Sequence, residues 1–540
     1  MTRAADGTPS HRPSAVTFDS LFQRYGLAYR LFAIATIGVG AVATILSSTS
    51  INVAIPNIMG VFGIGQDVAQ WLSAGYLAAA TVTMLVTAWA LAAFGIRTTF
   101  LVAMGVFIGA SLMGALSPSV ELLILSRVIQ GAASGIFLPL SMVVMGRIFP
   151  PQKQGLAMGL FGILAVMAPA FGPYIGGILI DAFDWRYAFY LVLPMALISL
   201  PLAFIFLPGR ESQGERPPLD WPGVLLLSAC IGLLLLGLSK GQSKGWSSDY
   251  SLICFALVLA SGGGFILRQH CCATPLLNLA LFRHRGFVLA MLVTLVFGAG
   301  LYGSFYTTPL FLQTVQGLNA TQAGFVLMPG GIVLAIVFPV SGHFSDRLAP
   351  RLLVSAGLLL FAYAFWVMVA ADRNTGLWTF AWWIILGRIG LALIMPSLNV
   401  AALSPLPNAL LTQGTGAINF FRQLGGALGV NLSAVYLERR TAVHTDAIAS
   451  TQHLGHNQTW ETLELMRQPL LSAGIDSLTQ LPLSLWLLGR EFFRQGLTLG
   501  FQDTFALSAL IVLLALLPAW FLAPRVSRTV ATAAIKPASK

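Results

Sequence analysis

The sequence predicts an all-α polytopic membrane protein, and three observations carry that expectation. Only 9% of the 540 residues are charged, against about 25% in soluble domains. Hydrophobic residues make up 56%, and the mean hydropathy is +0.81. Apolar runs of about 20 residues recur along the chain, the length at which a helix crosses a hydrocarbon core of ~30 Å. A soluble fold of this length would need far more polar side chains to cover its domains. The same composition excludes collagen-like, disordered and disulfide-scaffold classes.

Fourteen runs meet the length. Six lie near 34–58, 71–93, 98–117, 122–146, 156–181 and 187–207. Two follow near 221–238 and 250–268. The last six lie near 287–311, 323–342, 352–371, 379–403, 416–436 and 500–523. Residues 1–30 are polar, so the first span is expected to stay attached as a signal anchor. The expected organisation is a cytoplasmic segment 1–30, a six-helix bundle 31–207, and a linker 208–285 holding two extra spans. A second six-helix bundle, 286–525, contains a long outer loop, 438–499, and precedes a cytoplasmic tail, 526–540.

Basic residues are retained on the cytoplasmic side, which makes them a test of orientation. With both ends inside, 18 Lys and Arg fall in inside segments and nine outside, five of those nine in 438–499. Three more, Arg127, Arg388 and Arg422, fall within spans. The net charge of +11 therefore reports topology in the plasma (inner) membrane rather than a nucleic-acid partner. Cys230, Cys254, Cys271 and Cys272 give no disulfide framework, and His270-Cys271-Cys272 is too compressed to wrap a tetrahedral metal. Gly241-Gln242-Ser243-Lys244-Gly245 matches a nucleophile-elbow spacing but lies between two spans, without the required sheet. No P-loop is present. No enzyme activity, metal or cofactor is expected.

An internal repeat is also legible. LSRVIQG at Arg127 resembles LGRIG at Arg388, the loop at Arg97 resembles that at Arg351, and AFGPYIGG at Gly172 resembles FFRQLGGALG at Gly425. The offsets are 261, 254 and 253 residues. A near-constant offset implies two pseudo-symmetric six-helix halves with two helices inserted between them.

These stretches resemble the major facilitator superfamily, and within it the fourteen-helix drug/proton antiporters of the EmrB/QacA type. The resemblance covers about 31–525 and rests on Arg127, Gln130 and Gly131, on Gly172, Pro173, Gly176 and Gly177, and on TSINVAIP and PLFLQTVQGLNATQAGFVLMP. It implies secondary active efflux of hydrophobic or amphipathic compounds, with protons as the counter-substrate. It also implies a periplasmic adaptor and an outer-membrane channel as partners beside the lipid bilayer. The loop 438–499 reads as one or two amphipathic helices, TWETLELMRQPLLSAG and then LSLWLLGREFFRQGLTLGF, and is a docking site for these partners or else a cap over the outer mouth. Alternatives are a dedicated exporter of one metabolite, such as a siderophore or organic acid, and a non-transporting sensor or assembly subunit.

The chain departs from the family pattern where charge is concerned. Ser47 stands where the family commonly has an aspartate, and the loop between spans 2 and 3 keeps only Gly95 and Arg97 of its motif. The related loop between spans 10 and 11 keeps Gly342, Asp346, Arg347 and Arg351. Ionisable groups inside a bilayer are functional candidates, and here they are three arginines with no mid-span carboxylate. The expected substrate and coupling cavity is therefore Ser47, Thr49, Asn52, Arg127, Gln130, Tyr302, Arg388, Asn419 and Arg422. The expected gating set is Gly95, Arg97, Gly172, Pro173, Gly176, Gly177, Gly342, Asp346, Arg347 and Arg351. Arginine does not release its proton, so this field favours neutral or weakly acidic substrates over cations.

Overall fold

The computed structural model describes residues 17–149, 154–210, 216–272, 274–345, 348–407, 410–451 and 457–522. The described residues form helices and no strands. In order these are α1 (Phe18–Tyr25), α2 (Ala28–Phe62), α3 (Gln66–Ala69), α4 (Trp71–Phe94) and α5 (Ile96–Ala115). Next come α6 (Val120–Ser134), α7 (Phe137–Ile148), α8 (Gln154–Ala182), α9 (Tyr187–Tyr190) and α10 (Leu193–Phe206). The inserted pair is α11 (Trp221–Lys244) and α12 (Asp249–Cys271). The second half holds α13 (Arg285–Thr314), α14 (Ala320–Ser345), α15 (Pro350–Met368), α16 (Leu377–Leu403) and α17 (Leu411–Ser450). It ends with α18 (Asn457–Ser472), α19 (Ser477–Leu514) and α20 (Leu516–Trp520).

Twelve stretches among the described residues are long and apolar enough to cross a membrane. The other two expected spans, 156–181 and 416–436, fall on α8 and α17, outside that set. Along α17 the buried polar residues Asn419, Arg422 and Asn431 dilute the apolar run, because the helix packs inside the protein. Polar side chains fix several helix starts: Ser119 accepts the Leu122 N–H, and Ser248 accepts the Ser251 N–H. The expected outer loop is not separate from the bundle. The 40-residue α17 and 38-residue α19 extend into residues 438–499 and pack on each other, with α18 against α19. Asp503 of α19 joins them, pairing with Arg440 and accepting from His444 Nε2 at 2.7 Å.

The helix packing repeats. α2 packs on α8 as α13 does on α17, α4 on α6 as α14 on α16, and α5 on α10 as α15 on α19. The halves meet through α8 against α14 and α4 against α17, with α11 beside α4 and α17. The repeated glycine motif occupies equivalent places. Gly172 and Gly176 face Thr49 and Ser50 of α2, and Gly425 and Gly429 face Leu295 and Ala299 of α13.

Gly177 points elsewhere, onto the backbone of α14, where a Cβ would lie 2.6 Å from the Ala320 carbonyl carbon. Gly324 meets Tyr174 at the same distance, and Gly331 meets Ala170. These three glycines let two backbones from opposite halves touch, as small residues do in membrane interfaces. The Asp181 carboxylate at the end of α8 accepts the Ala320 N–H at 3.2 Å and the Thr321 N–H at 2.7 Å, capping α14 across the seam. Of the α8 glycines, then, Gly172 and Gly176 hold one half together and Gly177 sits between halves.

A bulky residue at these two neighbours should therefore act differently. With the native cysteines replaced by serine and the buried Ala320→Cys as a reporter, Gly177→Leu should raise maleimide labelling several-fold by holding the seam apart. Gly176→Leu should lower the folded yield without that rise. Wild-type labelling in Gly177→Leu would contradict a seam that depends on backbone approach.

Candidate functional site

A cavity of about 1000 Å³ lies between the halves at the end that carries α1. The ends of α4 and α7 supply Trp89, Met142 and Met145, the start of α17 supplies Thr415 and Asn419, and segments 217–220 and 274–278 close one side. Flexible Met and flat Trp surfaces suit varied apolar ligands. Among the described residues, two charged ones line it, Arg147 and Asp220. The Arg147 guanidinium lies 5.8 Å from the Phe18 ring. Asp220 accepts from Arg268 Nε at 2.9 Å, Gly223 N at 3.1 Å and Gln269 Nε2 at 3.0 Å. Burial works against its charge, but these donors outweigh it and hold the carboxyl below its usual range. The cavity wall is thus mainly apolar and amide.

At its depth, the Asn419 amide lies 3.6 Å from Met142 Sδ of the other half. Asn419 also accepts from Arg422, one turn further into the protein. Tyr302 packs on Gly426 in the same half, half-buried beside Phe305 at 6.3 Å.

Arg127 does not face this cavity. It is fully buried inside the first half. Its Nε donates to the Leu72 carbonyl at 2.8 Å, and Nη1 donates to Ser47 Oγ at 3.0 Å and to Gln130. Gln130 in turn donates to Ser111 at 2.7 Å, and the guanidinium lies 4.3 Å from the Tyr76 ring. One side chain thus ties α6 to α2 and α4, and through Gln130 to α5. Asn52 stands beside it, accepting from Ser73 at 2.6 Å. Ser47 fills the acid position of the family as a neutral acceptor to Arg127, so an acid placed there would be ion-paired rather than free.

Arg388 is the exception. It sits about twelve residues into α16, roughly 18 Å along the axis. Its guanidinium lies 4.3 Å from the Phe305 ring, and Nη1 is buried without a hydrogen-bond partner among the described residues. It borders a small void between the halves, together with Thr49, Pro173 and Gly331. The repeat that pairs Arg127 with Arg388 in sequence extends to an aromatic face and one unpartnered Nη on each, but not to the hydrogen bonds that hold Arg127 inside one half.

The gating candidates are dispersed. Gly95 has φ +81°, and a Cβ there would come 2.8 Å from Arg210 Cα. Next to it, Arg97 donates to the Leu207 carbonyl at 2.7 Å, so this loop latches onto the end of α10 without an acid. Arg351 lies 6.0 Å from the Trp520 ring, and Gly342 has open space at its Cα. Asp346 and Arg347 lie outside the described residues. Of the aromatic residues in the second half, Tyr363, Trp366, Trp378 and Trp382 are exposed on the outer surface, and Tyr306 is buried. The seam residues Gly324, Gly331 and Asp181 and the cavity residues Trp89 and Asp220 were not among the expected site residues. The Pro329-Gly330-Gly331 run was the one available signal for the seam.

Two halves related by a repeat, meeting around a central cavity, define a membrane transporter fold. Residues 37–430 match the family model of the Major Facilitator Superfamily, and the chain belongs to that superfamily, on its EmrB-type branch. The Multidrug export protein EmrB of Haemophilus influenzae is 29% identical over 484 residues, covering 89% of this chain and 93% of that one. An MFS-type transporter of Bacillus subtilis, YcnB, is 34% identical over 408 residues, covering 75% and 85%. A solved bacterial homolog of the human lysosomal transporter Spinster, inward-facing and unoccupied, aligns with a TM-score of 0.60 at 14% identity. That alignment covers 91% of this chain and 96% of that one, and it shows the shared fold.

The network around Arg127 reads as structural. Arg127→Leu would strand the Leu72 carbonyl, Ser47 and Gln130, at roughly 1–3 kcal/mol for each buried group left unpaired. Thermal unfolding in detergent should fall by several degrees while the affinity for a cavity ligand stays near wild type. Unchanged stability with lost binding would place Arg127 in the ligand site.

Proposed function

We propose that this protein is a secondary active exporter of hydrophobic or amphipathic compounds, of the multidrug type, driven by proton antiport. The carrying observation is a large cavity between the halves, open toward the α1 end and closed at the other end by the α8–α14 seam. That is the shape of one state in alternating access, where the halves rock around a central site. The names of the EmrB relatives support drug export. The mixed Met, Trp and amide lining supports loose rather than dedicated recognition.

The excess of basic residues supports a plasma (inner) membrane protein with fourteen spans, both termini cytoplasmic, and the bundles and inserted pair bounded as the sequence implies. The cavity then opens inward and loads substrate from the cytoplasm or inner leaflet. On α18 and α19, Leu465, Leu478, Trp486 and Phe493 are exposed on a hairpin beyond the far end of the bundle. Exposed apolar patches of that kind mark interaction surfaces, which supports docking of a periplasmic adaptor and, through it, an outer-membrane channel.

Arg388 between the halves, and the pairing of Asp220, the one acid among the described cavity residues, support neutral or weakly acidic substrates over cations. Everted vesicles with a pH-gradient readout test this directly. After the passive leak in vesicles lacking the protein is subtracted, a carboxylated amphiphile should dissipate the proton gradient several-fold faster than ethidium. Because Arg127 already holds position 47, Ser47→Asp should leave ethidium export low. Robust ethidium export by the wild type, with none of the acidic compound, would overturn the reading.

A further inference from the structure

We infer that Arg388, with Phe305 and Thr49, forms an anion-binding subsite between the halves that takes the ionised head of an amphipathic organic acid. This deepens the export reading and relies on it only for the biological role of the site. Arg388 is a permanent cation, 6% exposed, near the middle of a span. Its Nη1 has no hydrogen-bond partner, and the Phe305 ring face at 4.3 Å cannot replace an anion. A buried guanidinium without a counter-charge is costly, so its retention calls for an occupant.

The surroundings are built for one. A void of about 10 Å³, room for a single water-sized group, lies on one side of Arg388. A second, of about 20 Å³, lies on another side. Among the described residues no Asp or Glu lines either void. Three hydroxyls lie there, with Thr49 and Ser304 donating to carbonyls of their own helices and Thr308 beside them, and the remaining walls are apolar, including Leu327, Leu334 and Phe365. A charged head beside Arg388 with an apolar body against these walls fits that chemistry. A bare inorganic ion would leave the apolar walls unused.

The place in the fold sets when the site is occupied. The smaller void is bounded by Ala170 and Pro173 of α8 and by Gly331 and Leu334 of α14, the helices of the seam. Parting the seam enlarges that void, so the anion reaches Arg388 as the halves rock. Arg127 offers no second such site: its Nη2 is also unpartnered among the described residues, but Nε and Nη1 are held by the Leu72 carbonyl, Ser47 and Gln130, and it borders neither void.

The test is equilibrium binding to the full-length protein in nanodiscs at pH 7.5, with empty nanodiscs subtracted. The probes are 1-naphthoate, 1-naphthylmethanol and (1-naphthylmethyl)trimethylammonium, which share a body and differ in charge. The wild type should bind naphthoate at least about tenfold tighter than the cation, as expected for a charge-assisted hydrogen bond. Arg388→Gln should lose that factor for naphthoate and keep its affinity for the alcohol, and Arg388→Lys should retain part of it. Replacing gluconate with chloride should not displace naphthoate. No anion preference in the wild type overturns the inference whether or not the variants fold. So does unchanged naphthoate binding in a folded Arg388→Gln, or displacement by chloride, which would make this an inorganic-ion site. Failure of the export reading is seen separately, as absence of any transport by vesicles whose protein still binds naphthoate.

Discussion

Backbone-to-backbone approach between α8 and α14 is the constraint on which the arrangement depends. Gly177, Gly324 and Gly331 bring opposite halves into contact where any side chain would hold them apart. Inside a bilayer there is no hydrophobic drive for helices to associate, so close packing of small residues must supply the attraction. Asp181 adds a carboxylate cap on α14 from the other half. Such a contact forms or breaks as a unit, because one glycine cannot approach without its neighbours. A seam of this kind at one end and a cavity at the other are the two parts that a rocking transporter needs.

The three span arginines show how one residue type serves different ends. Arg127 replaces a covalent strut, gathering α2, α4 and α6 around groups that would otherwise be unpaired. Arg422 is answered within its own helix by Asn419, which carries the connection to the cavity wall. Arg388, like Arg127, has an aromatic face and one unpartnered nitrogen, but it alone of the two borders a void shared by both halves. What separates them is supplied by neighbouring helices, and hence by contacts between residues distant in sequence.

That distinction also marks what could be read from the chain. Apolar runs disclosed the spans, because hydrocarbon demands them. On α17 the rule weakens, since an interior helix is free to carry Asn419, Arg422 and Asn431. The repeat at Arg127 and Arg388 correctly paired α6 with α16, yet gave no hint that only Arg388 meets the other half. Adjacent Gly176 and Gly177 look alike in sequence, but about 100° of helical rotation separates them, enough to place one on α2 and the other on α14. The amphipathic stretches within 438–499 disclosed helices, and α18 and the first part of α19 are helical there. Their continuity with α17 and the body of α19 was not legible, because it rests on contacts between the two, through Gly496, Gly500 and Thr441 and through Asp503 with Arg440 and His444.

The central claim is that the seam and the cavity open reciprocally. It is tested most directly by electron spin–spin distance measurements on two label pairs in lipid nanodiscs. One pair, Phe183 with Gln322, spans the outer end of the seam. The other, Gly146 with Gly416, spans the cavity mouth, where a new Cβ would meet no heavy atom within 4 Å. Conditions that drive turnover, a change of pH together with saturating substrate, should lengthen the first distance and shorten the second in the same population. Two distances that stay fixed, or that lengthen together, would contradict the account.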